Sequence, residues 1–218
     1  MNAPLKEDSV FGLYLVMTDP VVGYAKCAEA AVEAGIRYIQ LRMKHKPRCE
    51  ILDAAREVRA VTAGSRTLFI VNDDPSIAAE SGADGVHLGQ SDMSIGEARR
   101  LYPELRLIGL STHSMEQARV AVAEAPDYIG VGPVFATPTK EIPDPVLGPE
   151  NAGRIIRAVN VPAVAIGGIN SQNLNDVLSA GAINFSVVRA VCGSTTPLDA
   201  IKQLMSVWEK HLLKRSLC

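Results

Sequence analysis

Apolar runs of four to seven residues recur along the chain, and each gives way to polar or glycine-bearing positions before an amphipathic stretch begins. The runs predict strands near 12–18, 37–42, 68–72, 85–88, 107–111, 128–132, 163–167 and 184–188. The stretches that follow them carry apolar residues at helical spacing and predict helices near 23–34, 47–63, 75–81, 94–101, 114–124, 149–159, 171–180 and 197–213. A strand that is apolar at consecutive positions is buried on both faces, and alternation with helices makes its sheet parallel. Eight such units in 218 residues fit a closed (β/α)8 TIM barrel, one domain spanning 1–218, better than a doubly wound open sheet. Residues 1–10 precede the first run and are expected to form a flexible N-terminal extension.

Local punctuation agrees with this division. Asp19-Pro20 and Asp74-Pro75 read as helix openings after strands. Gly35, Gly82 and Gly181 each stand between an alanine-bearing helix and a strand, where a left-handed C-cap is expected. The longest connection, 133–148, holds Pro133, Pro138, Pro143 and Pro145, and connections of that length more often bind ligands than merely link elements.

Composition acts mainly by exclusion. A net charge of −2 gives no global attraction to nucleic acid or to an anionic membrane, so an anion site has to be built locally. The apolar runs fall well short of the roughly 20 residues that span a bilayer. The segment Met1–Asp8 lacks the charged-then-apolar plan of a secretion signal. The four cysteines, Cys27, Cys49, Cys192 and Cys218, are scattered with no CxxC pair, which favours reduced thiols in the cytoplasm over a disulfide framework or zinc site. Cys27 falls on an apolar helix face and reads as a small core residue.

The polar groups at the strand ends carry the candidate chemistry. In a barrel these ends share one rim, where active sites form. Gln40, Arg42 and Lys44 alternate along the second strand and share its inward face. Two converging cations suit a phosphate, with arginine contacting it bidentately and lysine as a point charge. The competing reading is a solvated basic loop, since His45, Lys46 and Arg48 follow. Asp73 and Asp92 end neighbouring strands, and two carboxylates beside a diphosphate suit Mg²⁺; helix capping competes at both positions. Thr137, Thr139 and Lys140 lie in the long loop as two hydroxyls and an ammonium that suit an anion clamp or an ordinary surface loop. Gly167-Gly168 precedes a helix after the seventh strand, where freed amides bind phosphate or simply form a tight turn. His87 reads as a barrel-lining residue and His113 as a polar residue at a helix start. Trp208 reads as helix packing. No P-loop, G-x-G-x-x-G, HExxH or Gly-x-Ser-x-Gly motif occurs, so charge stabilisation fits better than covalent catalysis.

Several stretches together resemble the thiamin phosphate synthase family over nearly the whole chain. They are Gln40-Leu41-Arg42-Met43-Lys44, Asn72-Asp73, Gly82–Gln90, Ser111-Thr112-His113, Tyr128–Phe135, Thr137-Pro138-Thr139-Lys140 and Ala165–Ile169. The resemblance implies a (β/α)8 barrel that joins hydroxymethylpyrimidine diphosphate to a thiazole phosphate, releasing thiamin phosphate and pyrophosphate. It implies that Gln40, Arg42, Lys44, Asn72 and Lys140 hold the diphosphate and that Asp73 and Asp92 bind Mg²⁺. It further implies that Ser111 contacts the pyrimidine or the diphosphate, and that Thr137 and Thr139 position the thiazole phosphate with the amides of Gly168, Val188 and Arg189. Arg42, Lys44, Ser111 and Lys140 are the expected catalytic groups. The implied partners are small molecules, with neither nucleic acid nor membrane; the oligomeric state stays open, a homodimer included, as does a carboxylated form of the thiazole.

Two positions depart from the family pattern. Asp74 stands where arginine is usual after Asn-Asp, and either adds to a metal site or repels a diphosphate. Arg189 stands where serine is usual, and either contacts phosphate directly or pairs with Asp74 or Glu141. Two alternatives remain at this level: a thiazole tautomerase-like paralogue working through His113, and a non-catalytic barrel that binds a thiamin precursor as a regulator.

Overall fold

In the computed structural model, which describes residues 10–139 and 144–216, the eight expected strands form and close on one another. They are β1 (Leu13–Met17), β2 (Tyr38–Leu41), β3 (Leu68–Asn72), β4 (Gly85–Leu88), β5 (Leu107–Thr112), β6 (Tyr128–Val131), β7 (Ala163–Ile166) and β8 (Phe185–Val187). Each pairs in parallel with the next, and β8 pairs with β1 to complete the barrel. The helices are α1 (Tyr24–Glu33), α2 (Arg48–Thr62), α3 (Pro75–Ser81), α4 (Ile95–Leu101), α5 (Met115–Ala123), α6 (Gly148–Ala158), α7 (Leu174–Ser179), α8 (Arg189–Cys192) and α9 (Pro197–Ser216). Apart from Val10, the N-terminal extension expected over 1–10 lies outside the described residues.

Strand alternation sorts side chains into two cores. Leu13, Leu15, Met17, Ile39, Phe69, Val71 and Phe185 point outward into the layer beneath the helices, which also holds Cys27. Tyr14, Val16, Tyr38, Ile70, Leu107, Tyr128 and Val164 fill the barrel itself. Gly109 is inward-facing because space demands it: a Cβ there would stand 2.2 Å from Tyr128 Cζ and 2.6 Å from His87 Nδ1. Trp208 of α9 packs against Gly12 and donates to the Ile183 carbonyl at 2.9 Å, as a packing residue should.

The punctuation is partly as expected. Gly35, Gly82 and Gly181 have φ of 70°, 69° and 98°, the left-handed conformation of a helix terminus. Asp74 caps α3, accepting from the amides of Ser76 and Ile77, with Pro75 in the first turn. Asp19-Pro20 does not open a helix: Pro20 begins a turn closed by Gly23 N–H, and α1 starts only at Tyr24. Helix α8 was not expected, because four residues are too few to show a period.

The end of the barrel remote from the site is held by side chains that stand just before even-numbered strands. Asp84, ahead of β4, accepts from Phe69 N–H at 3.0 Å and from Arg59 and Arg106. Asp127, ahead of β6, accepts from Ile108 N–H at 2.7 Å and from Arg99. Asn184, ahead of β8, accepts from Phe11 and Gly12 N–H. Asp84 is buried, so its loss strands an amide and separates two guanidinium groups from their acceptor. Asp84→Ala is expected to lower unfolding free energy by about 2–3 kcal/mol in urea titrations. Its kcat/KM should stay at the wild-type value, because the residue lies at the opposite end from the chemistry.

Candidate active site

The C-terminal strand ends surround a cavity of about 490 Å³. Gln40, Arg42, Lys44, Asn72, Asp73, Asp92, Ser111, Thr137, Thr139, Gly168, Val188 and Arg189 all line it. Lys140 and Glu141 lie outside the described residues.

The basic run after β2 divides. Gln40, Arg42 and Lys44 line the cavity, whereas Arg48 turns outward to Glu80 at 2.7 Å. The run is therefore not one solvated patch. Arg42 is half-buried, and among the described residues no carboxylate lies in salt-bridge contact with it. Burial holds its guanidinium below the ordinary arginine value, while Asp73 and Asp19 pull the other way. A desolvated guanidinium with unused donors is an anion-binding group. Lys44 forms an ion pair with Asp73, which joins the cationic side of the rim to its carboxylates.

Asp73 sits in the left-handed region at φ 67°, a conformation short polar residues tolerate better than others. Asp74 takes over the capping of α3, so the Asp73 carboxylate is released from that task and turns to the cavity. Ser94, not Asp92, caps α4 through Glu97 N–H. Asp92 instead accepts from Gly89 N–H at 2.6 Å. Its carboxyl is pushed above the ordinary value, first by burial and then by the nearby Asp73 charge, with Gly89 N–H opposing both. Two converging carboxylates beside a diphosphate are a natural seat for a hard cation. Among the described residues no group of three metal-ligating side chains occurs, so a cation here would draw its other ligands from substrate and water. Asp74 does not line the cavity and its carboxylate caps α3, so it is not placed to add a direct metal ligand.

The long connection starts as a continuation of the sheet. Val134 N–H donates to Ile166 and Phe135 N–H to Gly167, both at 2.9 Å, while Leu147 and Gly148 N–H return to Pro133 and Val134. This stem points Thr137 and Thr139 at the cavity, and their hydroxyls bond to each other at 3.0 Å. Gly167 and Gly168 have φ of 107° and 66°, and a Cβ at Gly168 would lie 2.7 Å from Phe135 Cβ. Beside them, after the neighbouring β8, Val188 and the exposed Arg189 begin α8. Among the described residues Arg189 makes no ion pair with Asp74, whose carboxylate is committed to Ser76 and Ile77.

The cavity floor contains residues that sequence reasoning did not assign to the site. Tyr14, His87, Tyr128 and Ser186 line it alongside Gln40 and Ser111. The Ser186 hydroxyl is buried and, among the described residues, has no hydrogen-bond partner. Tyr14 and Tyr128 read as apolar strand positions; only strict alternation around the barrel would have turned them inward beside His87, which does line the barrel. His113 Nδ1 donates to the Gly132 carbonyl at 2.6 Å, and its Nε2 stands 3.6 Å from an Asp144 oxygen, an ion pair only when the ring is protonated. In that state it fastens the start of the long connection to its far limb. No helix among the described residues is long and apolar enough to cross a membrane.

The comparisons with known proteins converge. A model of the family described as thiamine monophosphate synthase matches residues 13–191. The chain is 40% identical over 200 residues to the thiamine-phosphate synthase of Anaeromyxobacter dehalogenans, covering 91% of this chain and 88% of that one. It is 41% identical over 198 residues to that of Methanoculleus marisnigri, covering 89% and 93% respectively. Among solved structures, the thiamine phosphate pyrophosphorylase of Pyrococcus furiosus superposes with a TM-score of 0.84 at 34% identity, over 93% of this chain and 97% of that one.

Proposed function

The chain belongs to the thiamine monophosphate synthase family, and from that membership we propose how its barrel mouth carries out the family's transfer. The activity is that of a thiamine-phosphate synthase, a transferase. In our reading, hydroxymethylpyrimidine diphosphate loses pyrophosphate as the exocyclic C–O bond breaks heterolytically. The thiazole ring nitrogen then gives its lone pair to the resulting carbocation, forming the C–N bond of thiamin phosphate.

Charge growing on the leaving group is the barrier to be lowered, and preorganised cations lower it without a protein nucleophile. Arg42 and Lys44, with Gln40, Asn72 and Lys140, hold the diphosphate. Thr137 and Thr139, with the Gly168, Val188 and Arg189 amides, hold the thiazole phosphate. Asp73 and Asp92 are the residues that would hold Mg²⁺, which supplies positive charge against the diphosphate oxygens when bound. The fit rests on the paired carboxylates, because their mutual repulsion favours a shared cation. The observation that carries the reading is Arg42, a half-buried guanidinium aimed into the cavity without a carboxylate partner among the described residues. We place the reaction in the cytoplasm, where the buried free thiols of Cys27 and Cys192 stay reduced.

His113 Nδ1 is committed to the Gly132 carbonyl, so a tautomerase working through that ring would have only Nε2 to use. The test is turnover of the purified protein with both substrates and Mg²⁺. Pyrophosphate and thiamin phosphate are expected to appear in equal amounts, to stop with excess chelator and to resume when Mg²⁺ is restored. Substrate binding without either product would make the barrel a regulator, and full activity in excess chelator would remove the metal from the mechanism.

A further inference from the structure

Below the charged rim, five polar side chains from five strands form an unbroken chain of hydrogen bonds. Gln40 Nε2 donates to the Tyr14 hydroxyl at 2.9 Å, and the Tyr14 and Tyr128 hydroxyls are 2.8 Å apart. Tyr128 Oη lies 2.9 Å from His87 Nδ1, and His87 Nε2 lies 2.9 Å from Ser111 Oγ. Gly109 makes the chain possible, since any Cβ there would collide with the Tyr128 hydroxyl and the His87 ring together.

The chain has a direction. An amide NH₂ only donates, so the Tyr14 oxygen is an acceptor toward Gln40 and its single proton goes to Tyr128. Burial pushes both phenols above their ordinary value, so each keeps that proton through the working range of pH. The Tyr128 proton then points at His87 Nδ1, which must accept. A neutral imidazole with an accepting Nδ1 carries its proton on Nε2, and that proton goes to Ser111. The Ser111 oxygen is thereby an acceptor toward His87, and its own proton is left for the cavity it lines.

We propose that Gln40, Tyr14, Tyr128 and His87 act as a polarised relay of positioning residues that fixes Ser111 as a hydrogen-bond donor to the departing diphosphate. The proposal rests on the reading of Ser111 as a pyrimidine diphosphate contact and assigns it a direction. The reverse order would place the proton on Nδ1 and turn the Ser111 hydroxyl back toward His87, presenting a lone pair to an anion. A donor aimed at oxygens whose charge grows in the transition state acts on kcat more than on KM. The network is also cooperative, because each hydroxyl that accepts becomes a stronger donor.

The first test needs no turnover. Nitrogen NMR of ring-labelled histidine in the ligand-free protein, assigned with His87→Asn, is expected to show a neutral His87 with a proton-bearing Nε2 and a bare Nδ1. A proton on Nδ1, or on both nitrogens, overturns the relay whatever the protein catalyses. Tyr14→Phe keeps the ring and removes the link, so kcat should fall about tenfold, below the 10²–10³ of losing a direct donor. KM for both substrates should stay within about twofold, and the His87 signal should change to mixed tautomers. Tyr128→Phe cuts the chain next to His87 and should do the same. Unchanged kcat in both variants overturns the relay's part in catalysis. Absence of thiamin phosphate synthesis in the wild type would instead strike the functional reading, leaving the tautomer result to stand or fall by itself.

Discussion

Asp92→Ala is expected to lower kcat about a thousandfold, the scale of losing a preorganised electrostatic group at a developing charge, while leaving the fold intact. The Asp92 carboxylate is fastened by Gly89 N–H at 2.6 Å and converges with Asp73. It does not cap α4, a task that Ser94 performs. Burial and a like charge both push it up, so in the free protein this group is a source of destabilisation. Its removal should therefore leave the thermal midpoint unchanged or slightly raised even as activity collapses. That combination separates a functional carboxylate from a structural one such as Asp84, where stability falls and turnover holds. The measurement is pyrophosphate release as a function of Mg²⁺, run beside thermal unfolding. The apparent requirement for Mg²⁺ should rise together with the loss in kcat. Wild-type turnover at wild-type Mg²⁺ would remove Asp92 from the site, and a large drop in thermal midpoint would recast it as a structural residue.

Asp73 and Asp74 show what sequence resolves and what it leaves open. Adjacent carboxylates before a proline read equally well as a cap, a metal ligand or both, and nothing in the order of residues separates them. Backbone geometry does: Asp73 takes a left-handed φ of 67° and faces the cavity, and Asp74 turns to the α3 amides. All eight strands were legible because burial on both faces leaves continuous apolar text, and that text places their ends on one rim. Arg42 and Lys44 line the cavity although β2 ends at Leu41, so the inward alternation expected along the strand carries on just past its end. The short α8 was not legible, since its four residues span barely one turn. The floor relay was not legible either. Tyr14 and Tyr128 lie 114 positions apart in sequence, and their hydrogen bond depends on barrel closure and on the space left at Gly109. Pairing across a closed sheet is a property of register, which the hydrophobic pattern of single strands does not encode.

Gly168→Ala should raise KM for the thiazole phosphate about a hundredfold, about the energy of two or three phosphate-directed hydrogen bonds. Two independent effects meet at this residue. Its φ of 66° is the left-handed conformation, which costs a residue with a Cβ roughly 1–2 kcal/mol. The added carbon would also stand 2.7 Å from Phe135 Cβ and 2.8 Å from the Ala136 carbonyl, so one strand end or the other must move. Phe135 is bound to the Gly167 carbonyl, and two and four residues later the chain reaches Thr137 and Thr139. A shift there displaces the threonine hydroxyls and the glycine amides together, the two halves of the proposed phosphate cradle. In the proposed reading the pyrimidine diphosphate draws most of its contacts from the ends of β2 and β3 and only Lys140 from the long connection, so its KM should rise less, by no more than about tenfold. Gly35→Ala is the matched control: φ is 70°, yet a Cβ there meets nothing within 4 Å. It should lose about 1–2 kcal/mol of stability with both KM values unchanged. Equal kinetic behaviour of the two variants would mean that backbone strain alone matters at Gly168. A selective rise in KM for the thiazole phosphate would assign the Gly-Gly turn to that substrate and explain why the sheet tolerates so close an approach of two strands there.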